Sequence, residues 1–128
     1  RLIIIFTVAG IVGFIASALF GSAFTLGASG SIFGLLAAAI AYGRRVGSSL
    51  FTRQFMQWAG LIFFMGFIMP GVDNWAHGGG FVGGYLTAWL LGRSMSREGV
   101  GAYLGAGLCA LATVGAFTLQ LLAVWVLY

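Results

Sequence analysis

Charge is what this sequence has least of. Of its 128 residues only 6% are charged, and 61% are hydrophobic. A soluble domain of this length could not cover its surface with so few charges. Lysine is absent, and all six basic residues are arginine. They stand singly or as a pair between apolar runs and form no basic face. The net charge of +4 therefore marks topology, not a nucleic-acid partner. A lone Cys109 excludes an internal disulfide, has no metal-ligand companions and reads as a small buried apolar residue. The single proline, Pro70, can interrupt a helix at only one place.

What is abundant completes the class. Glycine supplies 22 residues, and small residues let membrane helices approach closely. The expected fold is an all-α polytopic membrane bundle, one domain over 1–128, with five spans at about 2–20, 26–42, 51–69, 74–91 and 101–127. A span needs roughly 20 residues. The second segment is short, so its N-terminal end is expected below the membrane surface. The opening "RLIIIFTVAG" has no cleavage region and too long an apolar run for a signal peptide. It reads as an internal start, in a piece of a longer protein.

The arginines give the orientation. Arg1 precedes the first segment, Arg44, Arg45 and Arg53 lie between the second and third, and Arg93 and Arg97 lie between the fourth and fifth. With five spans all of these fall on one side, which the positive-inside rule makes cytoplasmic. Ser29, in "GASGSIFG", and His77, in "VDNWAHGGGFVGG", then begin two helices that run the same way from the outer face, at similar depth.

An ionisable residue inside a membrane segment is costly and marks a candidate site. A serine hydroxyl is a poor nucleophile near neutral pH, and a neutral imidazole within reach can take its proton and return it to the leaving group. Gly27 and Gly30 would allow a tight turn into the helix and a close substrate approach. The free N–H groups of the helix start could hold a developing oxyanion. Gly30 and Gly34 on one segment, and Gly80 and Gly84 on the other, with Gly79 and Gly83 beside them, have the spacing of close helix contact. His77, Gly80 and Gly84 share a face. Phe33, four residues after Ser29, could stack on His77 or simply pack. Asp73 reads as a helix N-cap after the Pro70-Gly71 break, in preference to a third member of a triad. Ser31 points away from the Ser29 face, and Ser48, Ser49, Ser94 and Ser96 fall at the arginine side.

Gly27-Ala28-Ser29-Gly30 and Ala76-His77 with Gly80 and Gly84 resemble the paired motifs of the rhomboid intramembrane serine proteases, G-x-S-G and A-H-x-x-G-x-x-x-G. The likeness extends over essentially the whole chain. It implies Ser29 as nucleophile, His77 as general base of a dyad without aspartate, Phe33 as the aromatic packed on the histidine, and the Ser29 N–H as an oxyanion donor. It implies single-span membrane proteins as substrates, the lipid bilayer as surroundings, no nucleic acid, and no metal or cofactor. The third segment, with Phe63, Phe64 and Phe67, would be the mobile helix that gates lateral entry.

The five segments match the third to seventh helices of a seven-helix rhomboid. In that family a histidine and an asparagine on the second helix complete the oxyanion hole. Here His77 is the only histidine and Asn74 the only asparagine, so the piece alone is expected to be inactive although its parent is a protease. Two alternatives stand beside this reading. One is a catalytically silent rhomboid-like protein that binds membrane helices, which would tend to have lost Ser29 or His77. The other is a transporter component with a polar relay, which would show broken helices or charge at mid-depth. Arginine bias and scarce cysteine suit a bacterial inner membrane. Oligomeric state is not encoded in any feature of the chain.

Overall fold

The computed structural model describes residues 1–21, 28–94 and 99–127. It contains five helices, α1 (Leu2–Phe20), α2 (Ser29–Arg45), α3 (Ser49–Ile68), α4 (Asn74–Ser94) and α5 (Val100–Leu127). The first lies where the apolar run places it. α2 starts later than expected, at Ser29, and continues through Gly43, Arg44 and Arg45. Cations are favoured against the partial negative charge of a helix C-terminus, so the two arginines support this last turn.

Breaks fall where backbone chemistry demands them. Gly47 (φ +71°) and Gly71 (φ +85°) are in the left-handed region that favours glycine. The first lies between α2 and α3, and the second follows Pro70 between α3 and α4. Ser48 caps α3 by accepting from the Phe51 N–H at 3.4 Å. Asp73 caps α4: its Oδ1 accepts from the N–H groups of Trp75 at 2.9 Å and Ala76 at 3.1 Å.

By length and apolarity, α1 and α5 are each able to cross a membrane. α3 and α4, of 20 and 21 residues, are about 30 Å long but less apolar, because α3 carries Arg53, Gln54 and Gln57 and α4 carries Asn74, His77 and a run of glycines. α2, of 17 residues, falls short of a full span.

α4 packs against both α1 and α2, which also pack on each other, and this trio forms the core. Its interior is made of small residues: Ala9, Ala37, Ala38 and Ala76 are buried, with Ile40 the largest side chain fully enclosed. α3 leans chiefly on α2, and α5 touches α1. Leu19, Phe64, Leu86 and Leu108 are among many large apolar side chains left exposed. That outward apolar surface is what a bilayer solvates, and the close small-residue interior is how helices associate there. The molecule is an integral membrane protein of helical-bundle type.

α1, α2 and α4 meet backbone to backbone. A methyl group on Gly80 would strike the Gly30 carbonyl, and one on Gly84 would strike the Gly34 backbone. On the other side of α4, a methyl on Gly79 would lie 2.6 Å from Ala16 Cβ and one on Gly83 2.8 Å from Val12 Cβ. α4 thus has two glycine faces, one seated on α2 and one on α1.

Candidate active site

Ser29 is the first residue of α2, half-buried, with Ala28 as the N-cap. No side chain among the described residues caps this end. The N–H groups of a helix's first turn have no partner within the helix, so this turn carries donors beside the serine hydroxyl that no helical carbonyl takes. Gly27 lies outside the described residues. Gly30 has ordinary helical backbone and sits within 3.0 Å of the Ala76 carbonyl, measured from where its Cβ would be. Its small size serves the contact with α4 and not a turn.

His77 is held one turn into α4, its N–H donating to the Asp73 carbonyl at 3.2 Å. The side chain is 5% exposed, and its Nδ1 is buried with no hydrogen-bond partner among the described residues. What locates the ring is Phe33, itself 3% exposed. The two rings stack with centroids 4.4 Å apart and planes 12° from parallel. Phe33 in turn meets Phe63 of α3 edge-on at 6.5 Å, and Phe63 meets Phe67 at 5.4 Å.

This stacking ties the serine to the histidine. Ser29 and Phe33 are four residues apart on one helix face, so their Cβ atoms are about 6 Å apart. The ring one turn below Ser29 is the ring lying on His77. Independently, Gly30, next to Ser29, touches Ala76, next to His77. Gly34, Gly80 and Gly84 hold this register along the rest of the two helices.

Asp73 is committed elsewhere. Besides capping α4 through Oδ1, it accepts a hydrogen bond at Oδ2 from the Ser17 hydroxyl of α1. Ser17 was not distinguished by sequence reasoning, although it is 2% exposed. The available signal was spacing: Gly10, Gly13 and Ser17 are small residues at intervals of three and four, which marks a packed face. Gly13 follows suit, its would-be Cβ lying 2.7 Å from the Ala76 carbonyl. Ser31 is buried towards Gly10 of α1, away from His77. Ser48 and Ser49 lie at the opposite end of the bundle, at the start of α3.

The assembly places a serine hydroxyl and first-turn backbone N–H groups at the start of α2 and, on α4, an imidazole fixed by stacking. Comparison with known proteins bears on it. The family described as Rhomboid domain matches residues 1–94, a span that includes Ser29 and His77 and stops before α5. The likeness therefore covers less of the chain than its motifs alone implied. RHOMBOID-like protein 1 of Arabidopsis thaliana is 33% identical over 96 residues, 70% of this chain and 24% of its own length. Rhomboid protease GluP of Bacillus subtilis (strain 168) is 36% identical over 96 residues, 72% of this chain and 19% of its own. The chain thus spans about a fifth to a quarter of the length of these relatives. No solved structure matches it.

Proposed function

Since this chain belongs to the Rhomboid family, we propose that it supplies the nucleophile and base of a serine endopeptidase that cuts the membrane segments of other proteins. The observation that carries the reading is the Phe33–His77 stack with Ser29 one turn away on the same face.

In this mechanism Ser29 Oγ attacks the scissile carbonyl carbon while its proton passes to the His77 imidazole. The carbonyl oxygen becomes an oxyanion against the N–H groups of the first turn of α2. The tetrahedral intermediate then collapses, the C–N bond breaks, and His77 returns the proton to the departing amine. Water attacks the resulting ester as His77 accepts its proton, and when the bond from the acyl carbon to Ser29 Oγ breaks, His77 returns that proton to Oγ and the acid product leaves. Asp73 has no proton-transfer role in this mechanism; its carboxylate caps α4 and accepts from Ser17.

Helical substrate segments must unwind to expose a carbonyl, and they must reach the site from the lipid. α3 suits such an entrance, since Ala59 and Gly66 are its only buried residues among those described. The arginine-bearing helix ends would face the cytoplasm, with Ser29 and His77 toward the outer side, as in a bacterial inner membrane. That the relative in Bacillus subtilis is named a protease supports the activity.

The test is cleavage of a single-span reporter by the complete natural protein in lipid vesicles. Ser29→Ala and His77→Ala are each expected to lower turnover by at least about 10³-fold. Reporter binding without cleavage by the unaltered protein would favour a helix-binding role instead.

A further inference from the structure

At the end of the bundle remote from Ser29 and His77, the ends of four helices enclose a crevice of about 610 Å³. Its rim carries three arginines, Arg1 at the start of α1 and Arg44 and Arg45 at the end of α2. The Arg45 guanidinium lies across Gly92 near the end of α4, where a methyl group would collide with it. Arg44 donates to the Tyr85 hydroxyl at 3.3 Å and sits 5.9 Å from the centre of that ring. Just outside, Arg93 covers the Trp89 ring at 4.4 Å.

Among the described residues, no carboxylate lines this crevice. Asp73 is at the other end of α4, and Glu98, the chain's other acid, lies outside the described residues. The rest of the lining is mostly apolar, with Ile5, Leu35, Ala38 and Phe51. A helix C-terminus favours a nearby cation. That effect accounts for charge at the ends of α2 and α4, but not for an apolar trench behind a cationic rim. Tyrosine and tryptophan beside arginine mark the level of the lipid headgroups.

We infer that this crevice is a binding site for an anionic phospholipid, with the headgroup phosphate on Arg44 and Arg45 and an acyl chain along the apolar wall. Guanidinium forks match phosphate oxygens in pairs, and basic pockets between membrane helices recognise such headgroups. A zwitterionic lipid would bring its own cation to a rim already positive, so the site selects net negative charge. The inference needs only membrane placement and is independent of whether Ser29 and His77 catalyse.

The complete natural protein is exchanged into vesicles of phosphatidylcholine containing a minority of phosphatidylglycerol, extracted gently, and its retained lipid is quantified by native mass spectrometry. Phosphatidylglycerol is expected to be enriched over its share of the vesicle. Arg44→Gln and Arg45→Gln should each reduce that enrichment about fivefold. Arg53→Gln removes the same charge from a residue outside the crevice and should leave it unchanged. Circular dichroism and elution volume establish that each variant is folded. Equal retention by all four proteins, or no preference over phosphatidylcholine, would overturn the site. Glycerol phosphate added in excess should not displace the lipid; if it does, the apolar wall plays no part and the phospholipid assignment fails.

Discussion

The Phe33 ring lies 4.4 Å from the His77 ring and 12° from parallel, joining the helix that starts at Ser29 to the helix that bears the imidazole. Both rings are buried, and such stacked pairs contribute about 0.5–1.5 kcal/mol beyond area burial. The contact also fixes the plane in which the imidazole can meet a hydroxyl. Phe33→Leu keeps most of the apolar bulk but removes the flat face. It is expected to lower kcat by about tenfold, equivalent to about 1.4 kcal/mol, with little change in KM. Phe33→Tyr should retain activity. Steady-state cleavage of a single-span reporter separates the two constants, and an unchanged kcat in Phe33→Leu would mean that the ring only fills space.

Asp73 joins α1 to α4 by accepting from Ser17 while capping α4 through Oδ1. Removing an N-cap costs about 1 kcal/mol, and a side-chain hydrogen bond between membrane helices adds about 0.6 kcal/mol. Stability in mixed micelles should therefore fall most in Asp73→Ala. Asp73→Asn and Ser17→Ala should each lose less, since each leaves the cap acceptor in place. A denaturant titration followed by circular dichroism gives the order. If Asp73→Asn is as damaging as Asp73→Ala while Ser17→Ala is silent, the carboxylate has another role.

Gly84 has no room for a side chain, because its neighbour is the Gly34 backbone. Backbone cannot rotate aside, so Gly84→Val must force α2 and α4 apart and misplace Ser29 against His77. The variant is expected to lose activity and to unfold several degrees below the unaltered protein. Gly78→Ala is the companion, since nothing lies within 4 Å of its added methyl. It should be neutral or slightly stabilising, as alanine is the better helix former. Equal behaviour of the two would remove close packing as the source of the register.

How much of this was readable beforehand follows from what kind of information each feature uses. The helix of Leu2–Phe20 is one unbroken apolar run, and its observed ends are those of the run. Asp73 was legible as a cap because it follows Pro70-Gly71 and opens an apolar segment, a purely local signal. Gly80 and Gly84 carried their packing role in their spacing. Ser17 was not legible as a partner of Asp73, because the two are 56 residues apart and one serine in an apolar helix resembles another. Gly30 was legible as Gly80 and Gly84 were, through its spacing to Gly34, and the α4 backbone across from it leaves little room for a side chain. The extension of α2 through Gly43 was hidden by glycine's low helix propensity, which the close approach of Phe51 and Thr52 of α3 to that glycine explains.

The central claim is that Ser29 is a nucleophile activated by His77, and fluorophosphonate labelling tests it most directly. The complete natural protein, folded in detergent, is treated with the probe alongside Ser29→Ala and His77→Ala, and the modified peptide is identified by mass spectrometry. The account predicts a single adduct on Ser29 that disappears in both variants. A folded protein that does not label, or one that labels equally without Ser29, would contradict it.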